Sequence, residues 1–187
     1  MAAADKIQFV TPIVTFVYPK LNEPDVYTPK RGKRGKPKYK SDFLATDADT
    51  IKLQDYLNKV AKKLMPDVDA PKMPWKVNKE GATVFAVSTG MTDKRTGELI
   101  RPPVFDAKRQ AIPVEVSIGG GTKGRFSVTV GLYPDEDGIT LYINQVQISE
   151  LVENTYGACV FDEAEGFSYS GTSSTDFDKT AEEDTHD

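Results

Sequence analysis

The chain has 187 residues, 39% hydrophobic and 28% charged, which suits one soluble globular domain with length left over for tails. No run approaches the roughly 18 apolar residues of a membrane span, the N-terminus carries no signal-peptide core, and a lone Cys159 excludes an internal disulfide and points to a reducing cytoplasm. The net charge of −4 is split by segment: residues 162–187 hold nine acids against Lys179 alone, leaving 23 bases and 19 acids in residues 1–161, a net of +4.

Taken in order, Lys6 to Tyr18 is rich in Val, Ile, Phe and Thr and predicts a first long strand, with Pro12 marking an edge or a bulge. Pro19 to Lys38, rich in Pro and Gly, predicts irregular backbone. Inside it begins the run from Lys30 to Lys40, seven bases in eleven residues with no acid, flanked by Tyr27 and Tyr39. Such a run is either a solvated mobile loop or an arm that meets phosphates, since clustered cations next to aromatic rings are what a single-strand groove uses. Tyr39 to Ala45 predicts the second strand. From about Asp47 to Met65, Leu53, Leu57, Val60, Ala61 and Leu64 share one face at helical spacing, with Thr46 or Asp47 as cap and Pro66 as stop. The late lysines 59, 62 and 63 read as a solvated face that complements the helix dipole.

Beyond a Pro-punctuated linker comes Met73-Pro74-Trp75-Lys76, where Trp75 is either a core anchor or a surface on which a base stacks. Ala82 to Thr89 predicts a third strand, residues 92–98 a polar turn, and residues 99–105 a short strand at best because of Pro102 and Pro103. Ile112 to Ile118 alternates and predicts a strand, followed by Gly119-Gly120-Gly121-Thr122-Lys123-Gly124. Phe126, Val128, Val130 and Leu132 then share one face of a further strand, with Arg125, Ser127, Thr129 and Tyr133 on the other. After the turn at residues 134–138, Ile139, Leu141 and Ile143 alternate, and at Asn144-Gln145 the phase slips so that Val146 and Ile148 continue it, as a β-bulge requires. Long bulged strands with glycine corners predict a small closed barrel. After Val160 the pattern gives way to Ser, Thr, Gly and acids, which predicts a disordered tail.

Catalytic patterns are missing. Gly119 to Lys123 has strands on both sides and lacks the spacing of a phosphate-binding loop that opens a helix. The single His186 lies in the tail, which disfavours a histidine triad or a zinc site, and Asp135-Glu136-Asp137 lacks calcium-loop spacing. The reading is of a non-enzyme without metal or cofactor.

Several stretches, in order, resemble one family. They are Tyr39-Lys40-Ser41-Asp42-Phe43, Met73-Pro74-Trp75, Asp93-Lys94-Arg95-Thr96, Ile118 to Lys123 and Val146-Gln147-Ile148-Ser149-Glu150-Leu151-Val152, together with the acidic tail. The chain is similar, over roughly residues 5–187, to the single-stranded DNA-binding proteins of tailed bacteriophages. That resemblance implies a mainly β OB-fold, a five-stranded antiparallel barrel with a helix after the second strand, spanning residues 1–160 with a basic loop at 19–40. It implies coating of single-stranded DNA in phage replication and recombination inside the bacterial cytoplasm. It also implies that residues 161–187 contact replication proteins and compete with DNA. This tail departs from the family pattern: it ends Thr185-His186-Asp187, with Phe177 as its last aromatic.

The residues expected to line the DNA path are Tyr27, Lys30, Arg31, Lys33, Arg34, Lys36, Lys38, Tyr39, Lys40, Trp75, Lys76, Arg101, Lys123, Arg125 and Tyr133. An RNA-binding or strand-annealing OB protein and a protein–protein adaptor are the alternatives, and a homodimer is left open.

Overall fold

The computed structural model describes residues 6–26 and 35–153. Eight strands and one helix follow in the order β1 (Gln8–Val10), β2 (Val14–Asp25), β3 (Lys38–Leu44), α1 (Asp47–Leu64), β4 (Trp75–Val77), β5 (Thr83–Thr89), β6 (Val104–Phe105), β7 (Lys123–Leu132) and β8 (Ile139–Glu150). Five of them close a ring, β2-β3-β5-β8-β7 and back to β2, while β1, β4 and β6 add short edges. Four seams of the ring are antiparallel; β5 and β8 run parallel, with Ser88 opposite Tyr142. A closed ring of five cannot alternate direction throughout, so the expected all-antiparallel barrel is corrected at that one seam.

Alternation builds the interior. Phe16, Phe43 and Phe85 fall in one register row across β2, β3 and β5, with Trp75 of β4 next in line. Their rings meet face to face or tilted: Phe43 and Phe85 at 5.1 Å between centroids, Phe16 and Phe126 at 4.5 Å, Phe43 and Phe126 at 5.7 Å. Aromatic pairs at these distances contribute about 0.5–1.5 kcal/mol each beyond the area they bury. The helix starts where Thr46 Oγ1 accepts from the Asp49 amide at 3.3 Å, and it buries Leu53, Leu57, Val60 and Ala61 in the same core. Phe9 of β1 packs edge-on against Tyr56 of the helix at 5.1 Å.

Three sequence-based expectations change. The first strand is in two pieces, because at Pro12 the chain jogs: Thr11 is buried, its amide donates to the Phe126 carbonyl, and its hydroxyl accepts from the Phe126 amide. The second piece runs on through Pro19 and Pro24 to Asp25, where irregular backbone was expected. It can do so because the register with β3 shifts between Val17 and Lys20 and again before Asp25, so neither proline has to donate to the ladder there.

The expected strand at Ile112 to Ile118 does not form. Its carbonyls are taken by side chains instead: Arg101 donates to Ile112, and Asn22 donates to Val114 and Val116. Val114, within it, is 48% exposed.

The Asn144 slip is present. Ser127 faces Gln145 and Val128 faces Ile143, so Asn144 is the extra residue and both halves of β8 keep their apolar side inward. The glycine run joins the ring's ends: Gly121 donates to Phe16 and Gly119 to Val152. At Gly124 a Cβ would strike the Gln147 carbonyl and sit 2.9 Å from Phe16 Cζ, so strands β7, β2 and β8 can meet there only around a glycine.

Candidate nucleic-acid interface

The outward parity of the ring carries its chemistry. One register row crosses four strands: Lys20 of β2 opposes Lys40 of β3, Lys40 opposes Ser88 of β5, and Ser88 opposes Tyr142 of β8. At a strand spacing of about 4.8 Å the row is about 14 Å wide. Lysines lie at one side and an exposed tyrosine at the other.

Directly opposed like charges weaken a sheet. Lys40 is eased by Asp25, 2.7 Å from its Nζ, and Lys76 by Asp42 at 3.9 Å. Lys38 is exposed on the same strand as Lys40. These surface ion pairs are weak.

Two aromatics that sequence reasoning missed belong to this face. Tyr142 is 40% exposed, and its ring lies over Gly131 of β7, where any Cβ would collide with it. Tyr18 is 81% exposed and has φ of +48°, at the bulge between Val17 and Lys20. Both carry a legible signal: each is a ring on the polar parity, or at the break, of an otherwise apolar strand. Tyr133 follows the end of β7, and the Lys72 ammonium sits 4.8 Å from the centre of its ring. Glu136 holds Lys72 at 2.9 Å and raises its pKa above the ordinary lysine value by hydrogen bonding.

The remaining expected site residues are placed as follows. Tyr27, Lys30, Arg31, Lys33 and Arg34 lie outside the described residues, as does the segment 161–187; Lys36 is exposed just before β3. Tyr39 points inward and is 6% exposed, so neither ring face is open to a base. Trp75 is half-buried, tilted against Phe85 at 5.7 Å, which makes it a core anchor more than a platform.

Arg101 is a clamp. Its Nε donates to the Leu21 carbonyl at 3.0 Å, Nη1 to Ile112 at 3.1 Å and Nη2 to Asn22 Oδ1 at 2.9 Å. Burial pushes its guanidinium pKa down from the ordinary value, and the three acceptors hold it in place. Lys123 and Arg125 start β7, toward the far end of that strand from Tyr133, with Lys123 paired to Glu150 at 2.9 Å. Among the described residues the expected site therefore divides into a lysine–tyrosine face, three structural residues (Tyr39, Trp75 and Arg101) and a separate cationic end.

Against solved structures, the chain matches gp2.5, a single-stranded DNA-binding protein encoded by bacteriophage T7, with a TM-score of 0.61 at 22% identity, covering 86% of this chain and 100% of that one. The fold is shared. The single-stranded DNA-binding protein from bacteriophage Enc34 in complex with ssDNA matches with a TM-score of 0.58 at 17% identity over 78% of this chain and 88% of that one. Its C-terminal truncation matches at 0.56 and 22% identity, over 78% and 87%. No family model matches the sequence, and no curated protein matches it either. The ring order β2-β3-β5-β8-β7 with one parallel seam is thus the arrangement of an OB barrel, here with its helix between β3 and β4.

Proposed function

We propose that the protein binds single-stranded DNA without sequence preference, across the outer face of β2, β3, β5 and β8. The observation that carries this is the register row from Lys20 and Lys40 to Tyr142, with exposed Tyr18 two residues before the first lysine in β2 and Tyr133 just past the end of β7. Cations spaced along a strand neutralise phosphates, while exposed rings stack on bases of any identity. Lys36, just before β3, and Lys38, on the same strand as Lys40, add charge at the start of that strand. The T7 protein of the same fold is a single-stranded DNA-binding protein and the Enc34 one is in complex with ssDNA, which supports the reading.

No step of this function makes or breaks a covalent bond. The strand is held, kept from pairing and released. In that role the protein serves replication and recombination of a phage genome in the host cytoplasm. Residues 162–187, with nine acids and one base, contact partner proteins and compete with DNA for the lysines.

The test is binding of a fluorescent oligo-dT by the full chain and by a version ending at Val160, across a salt series. Expected is a logarithmic salt slope of about −0.7 per phosphate contacted, with tighter binding by the shortened chain. Absence of binding at low salt by both versions would overturn the function. Equal affinities would remove only the competition.

A further inference from the structure

The cationic end of the β7–β8 ribbon forms an open groove of about 720 Å³, lined by Val10, Phe105, Arg109, Arg125, Gln145 and Gln147 among others. Nothing in the lysine–tyrosine face needs it. We propose that this groove is a second subsite for the same single strand, taking one base against Val10 and Phe105 and the flanking phosphates on Arg109 and Arg125. This rests on the reading of single-stranded DNA binding above.

The groove is built rather than incidental. Gln147 is the hub: its Nε2 donates to the carbonyls of Asp106 at 3.1 Å and Ala107 at 3.3 Å, and its Oε1 accepts from Arg125 Nε at 2.8 Å. One side chain thus fastens the 106–110 turn to β8 and aims one arginine. The turn is itself fixed, because Asp106 Oδ1 accepts from the Lys108 and Gln110 amides, both at 2.8 Å, and it carries Arg109. Both arginines line the groove, Arg109 carried on the fastened turn and Arg125 held through its Nε; among the described residues the terminal nitrogens of Arg125 have no hydrogen-bond partner and are left for a bidentate contact. Among the described residues no carboxylate lines the groove and neither arginine has an acidic partner. The groove also has apolar surface for a base, given by Val10, which is 57% exposed, and by the half-buried Phe105.

Position on the ribbon argues for the strand as occupant. Arg125 pairs with Gln147, Ser127 with Gln145 and Thr129 with Tyr142, so groove and tyrosine share the outward parity of the same two strands. They are four residues apart along β7, about 13 Å. A strand that leaves Tyr142 along the ribbon enters the groove. OB barrels occupy about 4 to 16 nucleotides each, so one face and one extension fit within that range.

The experiment compares oligo-dT of about 5 and about 15 nucleotides, the two ends of that range, bound by the full native chain, by Arg109→Gly, by Arg125→Lys and by Arg109→Gly with Arg125→Ala. Glycine accepts the φ of +67° found at Arg109, so the turn survives that change, and melting curves check every variant. The double variant should lose about tenfold or more on the longer oligomer and less than about twofold on the shorter. Its salt slope on the longer one should fall by about 1.4, two contacts' worth, and Arg125→Lys should keep most of the slope. Equal loss at both lengths, or loss at neither, would overturn the proposal. Loss at neither combined with weaker capture of a peptide of residues 162–187 would give the groove to an acidic segment, and also overturn it. Failure of the native chain to bind either oligomer would strike the function itself, which separates the two.

Discussion

The ring of Tyr142 occupies the space beside Gly131 that a Cβ would otherwise fill. A glycine in mid-strand weakens a sheet, so the pair gives up some stability to lay a tyrosine flat on a barrel wall. Substituting Gly131→Ala should swing the ring away at a stability cost of about 1–2 kcal/mol. Oligo-dT affinity should then fall by about the same 1–3 kcal/mol as in Tyr142→Ala, the worth of one stacked base. Titration of both variants alongside melting curves checks this; a normal affinity in Tyr142→Ala would take the ring out of the interface.

Lys20 and Lys40 face each other in register, an arrangement that is unfavourable for folding. The change Lys20→Glu should raise stability by about 0.2–1 kcal/mol through a cross-strand pair while weakening DNA binding and flattening its salt dependence. Opposite signs in the denaturation midpoint and the affinity are the expected result. Parallel signs would mean that the row has no binding role.

Tyr39 and Arg101 should behave as structural residues. Truncating Tyr39→Ala opens a hole in the core and should cost about 3–5 kcal/mol. For Arg101→Met, three acceptors lose their donor and the 112–118 segment loses its anchor, a cost of about 2–4 kcal/mol. Chemical denaturation measures both. In whatever fraction remains folded, oligo-dT affinity should change by less than about threefold, roughly 0.6 kcal/mol.

Deleting Asn144 alone should keep the fold and straighten β8. The deletion puts Gln145 directly after Ile143, still opposite Ser127, so Ile139, Leu141, Ile143, Val146 and Ile148 all stay inward in one unbroken alternation. Cooperative melting is expected, at a lower midpoint because the bend that the bulge supplies is lost; an unchanged midpoint would mean that the ring closes without that bend.

How much of this was legible can be judged residue by residue. The β7–β8 hairpin, its Asn144 slip and the helix capped by Thr46 follow from local periodicity, and local periodicity is what packing against one core face enforces. The 112–118 segment alternates as well. What decides against a strand there is a distant pair, Arg101 and Asn22, that takes its carbonyls, and no local pattern reports such a pair. Composition around Pro19 and Pro24 argued for a loop, yet bulges let both prolines ride within β2. At the site, charge was readable and direction was not. Tyr39 beside lysines looks like a platform until parity turns it inward, and Arg109 and Phe105 join Arg125 only through a turn that Gln147 ties down.

The seam between β5 and β8 joins a strand that ends at Thr89 to one that begins at Ile139, and β7 and β8 together shut the ring. The lysines of β2 and β3 come early in the chain, while Tyr133 and Tyr142 come late. A growing polypeptide that has emerged only as far as β6 therefore has much of its charge, two unpaired sheet edges and none of its closing strands. Such long-range closure slows folding and leaves edges open to wrong partners meanwhile. The proposed binding face is thus complete only when the last strand of the barrel is in place.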